Sequence, residues 1–224
     1  MTAGANMLRR VLPALLVVVL AAGVAGAAPV KLARLRYGGG GDWYANPTSL
    51  PNLIAALRAR TTLDVAPKGD TVTLTSDRLY DYAILFATGH GRIAFTPAEA
   101  ARLRKYLLSG GFLHVDDNYG LDESFRKAIK QVFPDRPLVE LPFSHPIYHS
   151  LYDFPGGLPK IHEHHGGPPH GYGILHEGRV VLFYSYNTDL NDGWESAEVH
   201  NDTPERRESA LRMGLNIVLY ALSH

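Results

Sequence analysis

The 224-residue sequence contains no cysteine. That absence removes disulfides, thiolate metal sites and cysteine nucleophiles together. Charge of one sign in excess is missing too: 22 basic residues face 22 acidic ones. A near-neutral chain has no general attraction for polyanions, so neither nucleic acid nor an anionic membrane surface is an expected partner. Long apolar runs are also scarce. The one candidate, Val11 to Val24, is broken by Pro13 and Gly23 and falls short of the roughly 20 residues a membrane span needs.

That run has the parts of an export signal. Arg9 and Arg10 precede it, and Ala25-Gly26-Ala27 supplies the small residues of a cleavage site. Residues 1–28 are therefore expected to be a removable signal peptide, with 29–224 a single domain in the periplasm or outside the cell. An uncleaved anchor is the alternative. The remainder carries 20 basic and 22 acidic residues, net −2, and has no membrane span. Without disulfides, it depends on its core for stability.

Strand and helix signals alternate along the chain. Lys31 to Tyr37 reads as a strand, and Asn46-Pro47-Thr48-Ser49 opens a helix reaching Arg60. Val65 to Leu74 is an extended, edge-like segment. Tyr82 to Ala87 and Phe112 to Val115 are apolar runs typical of strands buried on both faces. Between them, Thr96-Pro97-Ala98-Glu99 is a helix opening with cap, N1 proline and capping-box glutamate. Asp122 to Phe133 is an amphipathic helix. Leu138 to Gly171 lacks periodicity and reads as a long ordered loop. Two strands follow around Glu177-Gly178, then a polar loop from Asn187 to Thr203 and a final helix from about Pro204 to Leu222. This order predicts a three-layer α/β domain, with a mostly parallel sheet and helices on both faces. In such sheets ligands sit beyond the carboxyl ends of the strands.

The chain resembles the bacterial family called domain of unknown function 4159. The motifs are Arg36-Tyr37-Gly38-Gly39-Gly40, Asp42-Trp43-Tyr44, His114-Val115-Asp116-Asp117-Asn118, Leu158-Pro159-Lys160-Ile161-His162-Glu163 and Asp192-Gly193-Trp194. Thr96-Pro97-Ala98-Glu99 leading into Gly110-Gly111-Phe112-Leu113 also resembles the class I glutamine amidotransferase-like (flavodoxin-like) fold. The resemblance implies that fold and an envelope setting, and brings no reaction. The amidotransferase reaction itself is excluded, because it needs a cysteine after a central strand.

Candidate chemistry falls at the expected strand ends. Asp116 and Asp117 are candidate catalytic carboxylates, with Asn118 and Tyr119 beside them; the other reading is a turn held by side-chain hydrogen bonds. Seven of the eleven histidines lie between positions 145 and 176. His145 and His149, four apart, would share a face of a short helix started by Pro146. His162 and His164 would point the same way on an extended chain, with Glu163 opposite. Histidine with carboxylate suits a divalent zinc, iron or manganese ion, so His145, His149, His162 and His164 are candidate ligands, and His162 and Glu163 candidate catalytic groups. Hydrogen bonding to loop carbonyls or plain solvent exposure are the competing explanations. Asp189, Asp192, Trp194, Glu195, His200 and Asp202 form a second polar cluster, read as a calcium-type or solvated loop. Gly39, Gly40, Asp42, Trp43, Tyr44, His90, Asp192 and Trp194 complete the candidate ligand-binding set, with aromatic rings suited to a sugar.

Two functions follow. One is a non-catalytic module that binds a small molecule or glycan, or an envelope protein partner. The alternative is a metal-assisted hydrolase using Asp116 or Asp117 with the His145–His164 loop.

Overall fold

The computed structural model describes residues 28–224. The expected signal peptide lies outside the described residues, Ala28 excepted. Seven strands form one sheet: β1 (Leu32–Leu35), β2 (Asp70–Val72), β3 (Ile84–His90), β4 (Phe112–Tyr119), β5 (Val139–Glu140), β6 (His170–His176) and β7 (Arg179–Tyr186). Their order is β2-β1-β3-β4-β7-β6-β5; the first five are parallel, and β6 and β5 are added antiparallel. The helices are α1 (Ser49–Arg60), α2 (Pro97–Leu108), α3 (Asp122–Val132), α4 (Leu190–Trp194), α5 (Ala197–His200) and α6 (Pro204–Ser223). Among the described residues, no helix is long and apolar enough to cross a membrane.

Strand alternation divides the interior into two cores. Leu85, Leu113 and Leu182, aligned in register, pack with Leu103 of α2 and Phe125 of α3. Phe86 and Phe183 point the other way and pack with Leu53 of α1 and Met213 of α6. The three layers follow from this two-sided burial. The capping box at Thr96 and Glu99 forms as expected and starts α2. Short β2 and β5 close the sheet, as suits exposed edges.

His114 lies in register between Phe86 and Phe183, fully buried. Its ring stacks on Phe183 at 5.9 Å, Nε2 lies 2.8 Å from Ser185 Oγ, and Nδ1 has no partner. Burial pushes its pKa down to about 3. An unfolded histidine takes a proton below about pH 6.5, while this one stays neutral. Its contribution is therefore complete above pH 6.5 and is lost as pH falls towards 3, costing about 2 kcal/mol by pH 5. Urea unfolding of the wild-type protein and His114→Phe at pH 7.5 and 5 should show their stability difference move by that amount in favour of the variant.

Three expectations need correction. First, β4 does not end at Val115 but continues through Tyr119, so Asp116, Asp117 and Asn118 are strand residues and not a turn. Second, Pro146 starts only a single 3-10 turn, Pro146–Tyr148, so no helix aligns His145 with His149. Third, the two long loops carry regular structure: Leu138 to Gly171 contains β5 and the first residues of β6, and Asn187 to Thr203 contains α4 and α5.

Candidate functional site

The loops after β1 and β3 close on each other at the carboxyl end of the sheet. Gly38 bridges Ala94, and the Gly41 amide donates to the Arg92 carbonyl at 2.8 Å. A Cβ on Gly39 would stand 2.7 Å from the Ala94 nitrogen, so Gly39 permits the close approach of two backbones. Gly40 is exposed at the crest. Gly39 and Gly41 serve this packing, and the Gly41 amide is already used. Asp42 clamps His90 through both its backbone amide and ring Nδ1, the latter at 3.0 Å. Trp43 lies under the Arg36 guanidinium, and Tyr44 is exposed beside it.

The alternation of β4 sends its two carboxylates to opposite faces. Asp116, fully buried, accepts from Ser185 Oγ, the Asn191 amide at 2.8 Å and Asn191 Nδ2 at 3.3 Å. Burial raises its pKa to about 7 despite these donors. Asp117 accepts from the Leu121 amide at 2.9 Å and Tyr184 Oη at 3.4 Å, on the α3 side. Neither is placed to meet a substrate: Asp116 anchors the start of α4 and Asp117 the approach to α3. Asn118 donates to Asp192 Oδ1 at 2.7 Å and accepts from Thr88 Oγ at 2.7 Å.

Beyond the ends of β4 and β7 three loop segments converge. The first carries His162 and His164 and is tied to β7's exit by the Ile161 amide on the Thr188 carbonyl. The second carries Asp189 and Asp192; Asn187 and Asp189 both adopt left-handed backbone, with φ of 59° and 60°, which aspartate and asparagine tolerate best among residues with a Cβ. The third brings His200 and Asp202 from the α5–α6 connection. His162 Nδ1 lies 2.9 Å from Asp192 Oδ2 and 3.7 Å from Asp189 Oδ2, while its Nε2 lies 3.1 Å from both oxygens of Asp202. His164 Nε2 is 2.6 Å from Asp189 Oδ2, and His200 Nε2 is 3.8 Å from Asp192 Oδ1.

Asp189 is the anomaly. It is 1% exposed, and neither carboxylate oxygen accepts a hydrogen bond; His164 is close but out of line. Burial, with the neighbouring Asp116 and Asp192, pushes its pKa up to about 9. Asp192 differs. Its burial is outweighed by His162, His200 and Asn46, which hold it below the ordinary carboxylate range. The Asp192 contact in turn raises His162, while burial lowers His164. Two sets, His162–His164–Asp189 and His162–Asp192–His200, each have donor atoms within 4.8 Å of one another, a spacing that could hold a metal ion.

Of the expected residues, the structure brings together His162, His164 and Asp192, with Asn118 in support. Tyr119 stands at the mouth, half exposed, its ring 5.3 Å from that of His164. His145 and His149 lie elsewhere. His145 packs on Tyr220, about 24 Å down α6 from its start. His149 is held by Asp153 and the Phe143 carbonyl. Glu163 is exposed, with Lys160 3.9 Å away, outside the cluster. Trp194 is a core residue donating to the Ala210 carbonyl, not a ligand-binding one. The cluster instead recruits Asp189, His200 and Asp202, whose signal was their place after the last parallel strand.

No curated protein matches the chain. The model of the family described as a domain of unknown function (DUF4159) matches residues 31–222, from β1 into the last turn of α6, and the chain belongs to that family.

Proposed function

We propose that this is an exported metal-binding domain, periplasmic or secreted, whose divalent ion is held by His162 with His164 and Asp189, while Asp192 and His200 lie within reach. The observation carrying the reading is Asp189: a buried carboxylate without a hydrogen-bond donor, set beside two imidazoles, is costly unless a cation compensates it. Mixed nitrogen and oxygen donors favour zinc, iron or manganese over calcium or magnesium. The parallel order β2-β1-β3-β4-β7 follows that of flavodoxin-like sheets and supports an amidotransferase-like scaffold without its nucleophile. Residues 1–28 support export. The half-open histidines leave positions on the ion for a small molecule or glycan, with Tyr119 to stack on it.

Zinc titration with thermal unfolding tests the reading. At a hundredfold excess over Kd an ion that binds only the folded state adds about 2.7 kcal/mol. For a domain of this size that is about 5–10 °C in Tm. No shift with zinc, manganese or ferrous iron would sink the proposal.

Metal-assisted hydrolysis is the second reading, favoured by the Asp42–His90 pair. Asp42 fixes the ring through Nδ1, which leaves Nε2 for proton transfer, and His90 pairs in register with Tyr119 at the mouth. Asp116 and Asp117 have no part in it. Zinc-loaded protein should cleave p-nitrophenyl esters, and His90→Ala should keep its zinc while losing most of that activity. An inert zinc-loaded wild type leaves the binding role alone.

A further inference from the structure

We infer that Asp202 is the positioning residue that presents His162 to the metal, holding the proton on Nε2 so that the Nδ1 lone pair faces the ion. The inference rests on the metal reading above and assigns a role that reading leaves open.

A neutral imidazole has one N–H and one lone pair. Both oxygens of Asp202 lie 3.1 Å from His162 Nε2, and the side chain of Asp202 is only 4% exposed. Without metal both ring nitrogens face carboxylates, Nε2 with Asp202 and Nδ1 with Asp192, so both can carry hydrogen. A cation entering between Asp192 and Asp189 would replace the Nδ1 hydrogen, while Asp202, which faces Nε2 alone, keeps the hydrogen there. Nδ1 then looks into the space shared by Asp192 Oδ2 at 2.9 Å and Asp189 Oδ2 at 3.7 Å, where His164 also arrives. Both candidate ligand sets include His162, and a single lone pair serves one ion. The two sets therefore describe one ion on the Nδ1 side, able to draw on His164 and Asp189 or on Asp192 and His200.

Asp202 is well placed to hold this geometry. It immediately precedes Thr203, whose hydroxyl accepts from the Arg206 amide at the start of α6, a 20-residue helix docked on α1 and α4. The carboxylate is thus fixed by a rigid element, while His162 is fixed by its own loop. A carboxylate on the far nitrogen orients a ligating histidine and raises its basicity, and loss of such a partner typically weakens metal binding about 10–100-fold.

The test uses the full mature chain, with zinc affinity measured by chelator competition and the ligand set by cobalt(II) absorption. Asp202→Asn should bind zinc about 10–100-fold more weakly with an unchanged cobalt spectrum, and Asp202→Glu should recover most of the loss. Nitrogen-15 NMR of the zinc form should find metal on His162 Nδ1 and hydrogen on Nε2. Unchanged affinity in Asp202→Asn overturns the inference. So does metal on Nε2, or a cobalt spectrum altered in Asp202→Asn, since Asp202 would then be a ligand itself. A wild type that binds no zinc removes the metal reading, and the inference with it.

Discussion

Asp189→Asn should yield a metal-free protein about 2–4 kcal/mol more stable than the wild type, and one that no longer responds to zinc. The Asp189 carboxylate is 1% exposed, accepts no hydrogen bond, and sits with Asp116 and Asp192 nearby. Its pKa of about 9 in the fold compares with the ordinary value of 3.8. A raised acid means that, between those values, the folded protein retains a proton the unfolded chain gives up. Folding is disfavoured by about 1.4 kcal/mol per pH unit across that window, or roughly 4 kcal/mol at pH 7, and the penalty fades as pH falls towards 4. Asparagine cannot ionise, has nearly the same shape and accepts the left-handed backbone at this position. Its buried amide gives back part of the gain. Urea unfolding at pH 7.5 in chelator, with and without zinc, measures both effects. A variant less stable than the wild type in chelator would mean that the carboxylate is needed by the fold itself.

The largest loss is expected at Asp116. Alanine there strands the amide and the side-chain NH2 of Asn191 in a fully buried site, while the Ser185 hydroxyl keeps the Val115 carbonyl as an acceptor. Each buried Asn191 donor left unsatisfied costs about 1–3 kcal/mol, offset in part because the fold no longer holds a carboxyl whose pKa burial raises to about 7. Because Asn191 lies in the first turn of α4, the effect should spread to Asp189 and Asp192. Asp116→Asn keeps one oxygen for the Asn191 amide and presents its own amide to Ser185 Oγ, so it should lose about 1–2 kcal/mol and still bind zinc. Denaturation midpoints of the two variants separate a foundation residue from a catalytic one. A fully stable Asp116→Ala would reopen the catalytic role.

Local signals carried most of the fold. The capping box of Thr96 and Glu99 lies within one turn, so it is complete in the sequence. The apolar runs behind β3, β4 and β7 reflect burial on both faces. The site was legible only in outline. Asp192, His162 and His164 follow from the strand-end rule and from histidine density. Asp116-Asp117-Asn118 reads locally as a turn because polar residues usually end a buried strand. What permits them inside are partners such as Ser185, Asn191 and Asp192, 69 to 75 positions away, which no local pattern reveals. His145 and His149 had helical spacing without a helix. Gly39 answers to the backbone of Arg92 and Ala94, which lies against it from far along the sequence.

Metal content of purified residues 29–224, by mass spectrometry after dialysis against a slight excess of zinc and then buffer, bears most directly on the metal centre. About one ion per chain is expected in the wild type, falling close to zero in folded His162→Ala and Asp189→Asn. A wild type that emerges metal-free, or variants that keep a full equivalent, would contradict the account.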